Sequence, residues 1–182
     1  MAGVHSGPPD FPAEETPLSR QSAIDGLLAN AARHADGFTG GDLPRIPAQG
    51  LAIVTCMDAR IDLARLGVQP GDAHVIRNAG GVVGEGELRS LAVSQRLLGT
   101  TEVAVILHTD CGMRTFREDD FKDQIEAETG RRPEWSAAEF GEVTDDVRRF
   151  VGVVAGDPFL PHRKQVRGFV YDVHTGALTE VR

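Results

Sequence analysis

The sequence predicts an α/β protein built on a mainly parallel central sheet. Short apolar runs bounded by turn residues alternate with segments whose apolar side chains recur at helical spacing. A chain of 182 residues, 41% hydrophobic and 25% charged, is long enough and ordinary enough in composition for one globular domain with its own core. The pattern holds no internal repeat and no second domain.

Residues 1–17 contain Pro8, Pro9, Pro12 and Pro17 with Asp10, Glu14 and Glu15, and neither Lys nor Arg. Such a stretch buries little apolar area and reads as a flexible N-terminal arm, leaving residues 18–182 as the single domain. A helical pattern begins at Leu18. Ile24, Leu27, Leu28 and Ala31 share one face, and Gly37, Gly40 and Gly41 end it. Leu51–Cys56 is a short buried strand. Ile61–Leu66 suits a short helix stopped by Gly67 and the Pro70-Gly71 turn. Ala73–Arg77 is a second strand, running into an Asn78-Ala79-Gly80-Gly81 loop that needs unusual backbone angles. Glu85–Leu98 is a helix with Leu88, Leu91, Ala92 and Gln95 at helical spacing. Glu102–Leu107 is a third strand, with His108 at its end. Thr115-x-x-Glu118 and Ser136-x-x-Glu139 resemble capping boxes that open two further helices. The second helix places Val143, Val147, Phe150, Val151 and Val154 on one face. Val166–Val173 and Ala177–Val181, joined by a His174-Thr175-Gly176 turn, read as a final pair of strands.

The charge balance limits the partners. A net charge of -8 and a pI of about 5.2 argue against a nucleic-acid footprint and against docking on anionic lipid. The N-terminus lacks the basic and apolar regions of a signal peptide, and the apolar runs are too short to span a bilayer. Cys56 and Cys111 are the only cysteines, too few for a disulfide scaffold, which favours a reducing, cytoplasmic setting. The cluster Glu118, Asp119, Asp120 and Asp123 reads as a solvated helix start that suits the helix dipole.

The chemistry lies at the strand ends. Cys56 closes the first strand. His108 and Cys111 follow the third at H-x-x-C spacing. Ligands of open α/β sheets bind outside the carboxyl ends of the strands, so thiol, imidazole and thiol converge on one sheet edge. Two Cys and one His suit zinc, and three protein ligands leave a fourth position open, as in catalytic zinc sites. Asp58 lies two residues past Cys56 and within reach of such a metal. Arg60 follows two residues later, where it either holds that carboxylate or makes an ordinary surface salt bridge at a helix start. Ala79-x-Gly81-x-x-Gly84 is a partial dinucleotide fingerprint. Its first glycine is Ala, Glu102 opens the next strand rather than ending it, and no Gly-Lys-Ser/Thr phosphate loop exists, so nucleotide binding is disfavoured.

These residues resemble the signature of the β-class carbonic anhydrases, C-x-D-x-R followed by H-x-x-C. Here it reads Cys56-Met57-Asp58-Ala59-Arg60 and His108-Thr109-Asp110-Cys111. Arg77-Asn78-Ala79-Gly80-Gly81 is similar to the family's loop. His108–Met113 and Arg167–Asp172 are similar to a short actinobacterial-type branch. Met57, Ala59, Asp110 and Met113 depart from the plant-type pattern. The resemblance covers roughly residues 20–182. It implies four parallel strands with an added antiparallel one, flanked by helices. It also implies a homodimer, or a dimer of dimers, with an N-terminal helix embracing the partner.

The resemblance further implies one Zn2+ per chain on Cys56, His108 and Cys111. The reaction it implies is reversible hydration of CO2 to bicarbonate and a proton through zinc-bound hydroxide. Asp58 and Arg60 would be the catalytic pair. Asp58 would aim the hydroxide, or bind zinc itself in a closed state, and Arg60 would hold it off the metal. Two thiolates offset the charge of Zn2+, so activity is expected to rise with pH through the neutral to mildly alkaline range. His74 and His162 are the histidines available as a proton shuttle. A CS2 or COS hydrolase on the same scaffold, and a non-catalytic zinc or redox-sensing domain, are the rival readings.

Overall fold

The computed structural model describes residues 22–138 and 140–182. The chain divides into two units, Met1–Asp42 and Leu43–Arg182. The arm expected at residues 1–17 and the helix start expected at Leu18 lie outside the described residues. In the first unit, helix α1 spans Ala23–Ala35. Ser22 caps it, its hydroxyl oxygen accepting from Ile24 N at 3.2 Å. Ile24, Leu27 and Leu28 form an exposed apolar row along α1.

The second unit is built on strands β1 (Leu51–Cys56), β2 (Ala73–Asn78), β3 (Glu102–His108), β4 (Val166–Tyr171) and β5 (Leu178–Val181). They form one sheet in the order β2-β1-β3-β4-β5. The first four are parallel, and β5 returns antiparallel on β4. This is the expected four-plus-one arrangement. Helix α2 (Glu85–Leu97) follows β2, and α3 (Glu118–Thr129) and α4 (Val143–Gly156) lie between β3 and β4.

Strand alternation sends the two sets of apolar residues to opposite faces. Ala52, Val54, Val103, Val105 and Leu107 pack with Leu91 of α2 and with Val147, Phe150 and Val154 of α4. Full burial of each such α4 side chain contributes about 1.5–3 kcal/mol. Gly168 of β4 lets α4 sit this close, because a Cβ there would lie 2.3 Å from Val147 Cγ1 and 2.8 Å from Val151 Cγ2. Ile53, Ala104, Ile106 and Tyr171 face the other way, with Ile61 and Leu63. Among the described residues no helix is long and apolar enough to cross a membrane.

Three local expectations are corrected. The segment Ile61–Leu66 narrows to a 3-10 turn at Leu63–Leu66, capped by Asp62 and stopped by left-handed Gly67. Thr115 caps no α-helix. Its hydroxyl donates to Gly112 O at 2.7 Å and closes the turn after Cys111, while α3 starts at Glu118. Ser136 also opens no helix. It donates to the Glu118 carboxylate, which also accepts from Ala137 N and pairs with Lys122, so one residue of each supposed box is spent on a tie between α3 and the following loop. Helix α4 begins only at Val143, and Glu139 lies outside the described residues. Asp119 and Asp123, by contrast, are solvated as expected and share Arg132.

Candidate metal centre

The sheet order places a topological switch point between β1 and β3. The chain leaves β1 toward β2 on one side and then crosses to β3 on the other. The two connections part at the carboxyl ends of β1 and β3, which leaves a crevice there. Cys56 is the last residue of β1 and His108 the last of β3. Cys111 is brought back beside them by the turn that follows. Asp110 has φ +52°, a left-handed angle that reverses the chain before the Gly112–Arg114 turn.

The metal-ligating atoms of Cys56, His108 and Cys111 all lie within 4.8 Å of one another, and all three residues are buried. His108 is 1% exposed. Its Nδ1–H donates to Thr109 O at 2.8 Å, since a carbonyl only accepts. That fixes the tautomer and leaves the Nε2 lone pair facing the two sulfurs. Nε2 is buried and has no hydrogen-bond partner. A buried imidazole nitrogen left unpaired beside two cysteine sulfurs is the donor set a soft or borderline cation requires, so these residues fit zinc.

A hydrogen bond from Cys111 holds the Cys56 thiol well below its ordinary range, helped by His108 and by the backbone of Asp58 and Gly80, against the effect of burial. The same bond, with burial, pushes Cys111 up. Burial pulls His108 down, but the Cys56 thiolate outweighs it and the net direction is up. Gly80 N donates to Cys56 Sγ at 3.3 Å. Gly80 of the loop after β2 therefore sets a backbone donor on the Cys56 sulfur. A Cβ on Gly80 would lie 2.2 Å from the Phe140 ring, and one on Gly81 would lie 3.1 Å from Cys56 N.

Asp58 and Arg60 form more than the surface salt bridge that spacing left open. Arg60 Nε donates to Asp58 Oδ1 at 3.0 Å and Nη2 to Oδ2 at 2.7 Å, a two-point clamp. Asp58 Oδ2 stands 3.8 Å from His108 Nε2. The Arg60 guanidinium holds the Asp58 carboxyl well below the usual carboxylate range. Two further residues of this site carried no separate signal in the sequence. Asp110 accepts from Arg60 Nη1 at 2.7 Å. Arg77 reaches the carbonyls of Cys56, Asp58 and Ile61 and so gathers the loop between them. Arg77 was visible only as part of a motif. Asp110 was legible as a departure from the plant-type pattern, without a role.

The histidines considered as shuttles lie elsewhere. His74 pairs in register with Ala52, four residues or about 13 Å of strand before Cys56, and its Nδ1 meets Ser94 Oγ at 2.8 Å. His162 precedes β4, so it too lies toward the amino ends of the strands, where its N–H donates to Gln95 Oε1 at 3.0 Å.

A family model described as carbonic anhydrase matches residues 51–139. β-Carbonic anhydrase 1 of Mycobacterium tuberculosis is 52% identical over 161 residues, covering 88% of this chain and 98% of that protein. A carbon disulfide hydrolase of Acidianus is 31% identical over 153 residues, covering 70% of this chain and 75% of that protein. Among solved structures, a carbonic anhydrase from Streptococcus mutans superposes with a TM-score of 0.82 at 37% identity, covering 90% of this chain and 99% of that one. Fold, donor cluster and similarity along nearly the whole of a curated relative agree, and this chain belongs to the β-carbonic anhydrase family.

Proposed function

We propose that this protein is a zinc-dependent carbonic anhydrase that interconverts CO2 and bicarbonate, with one zinc per chain held by Cys56, His108 and Cys111. The observation that carries this is the buried, unpartnered His108 Nε2 facing two thiols at the switch point of the sheet. Bound there, zinc supplies the Lewis acidity that lets water ionise near neutral pH. Hydration adds water to CO2 and gives bicarbonate and a proton.

The chain's own residues position that chemistry. Thr109 O holds the His108 ring through Nδ1. Asp58, kept ionised by Arg60, accepts a hydrogen bond and donates none, so it orients the reacting water toward CO2. Released from Arg60, Asp58 would be available as a further ligand to the zinc, and the Arg60 clamp is what holds it off. Residues 18–182 act as one domain in this reading. The exposed Ile24, Leu27 and Leu28 row of α1 supports a homodimer in which that helix grips a second copy, with a dimer of dimers as the larger form. The two unpaired cysteines support a reducing, cytoplasmic compartment.

CO2 is assigned over CS2 because the carbon disulfide hydrolase is less similar than the carbonic anhydrase and aligns over less of its length. Metal analysis with stopped-flow hydration from pH 6 to 9, run beside a CS2 assay, tests the reading. One zinc per chain, CO2 hydration rising with pH and no CS2 turnover are expected. Cys56→Ser or Cys111→Ser should lose the zinc. A folded, zinc-loaded protein inert toward both CO2 and CS2 at pH 8.5 would favour the non-catalytic zinc or redox domain instead.

A further inference from the structure

The Arg60 guanidinium has a second edge that the Asp58 clamp leaves free, and that edge is occupied. Nη1 donates to Asp110 Oδ2 at 2.7 Å and Nη2 donates to Asp110 O at 2.8 Å. The two hydrogens of Nη2 point apart in the guanidinium plane. One serves Asp58 and the other Asp110, so the two acids do not compete for a donor. Asp110 is an aspartate in a left-handed conformation, φ +52°, a placement uncommon outside glycine that aspartate and asparagine tolerate best. It offers carboxylate and carbonyl to the same cation. Asp110 thereby ties the loop after β1 to the loop after β3, fifty positions apart in sequence. Arg60 is 44% exposed along its side chain and lies on an irregular loop, so without this second anchor only Asp58 would hold it.

We propose that Asp110 is a positioning residue. By fixing Arg60 from its far edge, it keeps Asp58 on the arginine and away from the fourth coordination position, and so sets the balance between open and closed sites. The inference rests on the metal assignment above. An ion pair this exposed shifts such a balance by roughly two- to five-fold. Removing a negative charge near the site would by itself tighten anion binding, so a weakened anion affinity separates the positioning effect from simple electrostatics.

The test uses the full chain loaded with cobalt, with thiocyanate as a metal-coordinating anion read by visible absorption at pH 7.5. Asp110→Gly removes the carboxylate without forcing a Cβ into the left-handed position, and Asp110→Asn keeps an acceptor for Nη1. Asp110→Gly should weaken thiocyanate binding by at most about five-fold, because the apparent affinity follows the open fraction and the full change in the balance is read only where the closed form already predominates. Asp110→Asn should restore it. In an Asp58→Ala background Asp110→Gly should no longer weaken thiocyanate binding and should tighten it slightly, as loss of the charge alone requires. Crystals of zinc-loaded Asp110→Gly should show Asp58 off Arg60 at a higher occupancy than in the wild type. Unchanged or tighter thiocyanate binding in folded Asp110→Gly, or the same weakening without Asp58, overturns the proposal. A wild-type chain that takes up no cobalt overturns the metal assignment beneath it.

Discussion

Gly81→Ala is the sharpest test of how the loop after β2 supports the metal centre. Gly81 has φ +69°, where an L-residue costs about 1–2 kcal/mol. A Cβ built there lies 2.8 Å from Leu107 Cδ2 and 3.1 Å from both Cys56 N and Thr55 C. The leucine methyl can shift within the core, but the backbone of β1 moves only by displacing Cys56. Overpacking of this kind costs about 1–3 kcal/mol. The two effects together give about 2–5 kcal/mol, or a Tm lower by about 4–20 °C for a chain of this size. Urea unfolding of the chelator-treated protein measures the stability, and metal analysis after zinc loading measures the site. Gly86→Ala is the control, since Gly86 lies in α2 with nothing within 4 Å of its Cβ position. It should gain about 0.5–1 kcal/mol from helix propensity. The reasoning is refuted if Gly81→Ala unfolds with the wild type and keeps its full zinc, or if Gly86→Ala is as damaging as Gly81→Ala.

Three further outcomes are expected. Gly168→Ala should cost about 1–3 kcal/mol by pushing α4 off β4, while zinc uptake survives because the contact lies far from the strand ends; an unchanged urea midpoint would contradict this. Asp58 has a folded-state pKa lowered chiefly by Arg60, so the pair stabilises the metal-free protein fully above the unfolded carboxyl value of about 4 and progressively less below it. The stability difference between wild type and Asp58→Asn, measured by urea unfolding, should therefore be constant from pH 6 to 5 and shrink toward pH 3. Leu28→Asp places a charge on the apolar row of α1 and should shift the chain toward monomer in light scattering coupled to gel filtration, with α1 helicity kept; an unaltered mass would remove that face from the interface.

Much of this protein was legible in the linear sequence, because the signals are local. Apolar runs and helical spacing marked β1, β2, β3, α2 and α4, since burial imposes a period on each element separately. The spacing of Cys56, Asp58, Arg60, His108 and Cys111 carried the donor chemistry and the family resemblance. What misled were signals whose partners lie far along the chain. Glu118 is a capping residue by spacing, yet its carboxylate goes to Ser136 and Lys122. Only the tertiary structure decided that β1 and β3 are neighbours with β2 outside them, which turns two strand ends into one crevice. Only it placed His74 and His162 toward the opposite edge of the sheet. It alone joined Asp110 to Arg60 across the two ligand-bearing loops, because a hydrogen bond between residues so far apart in sequence leaves no periodicity to read. The sequence by itself therefore determined which atoms are available to a metal, and the packing of the sheet determined that they meet.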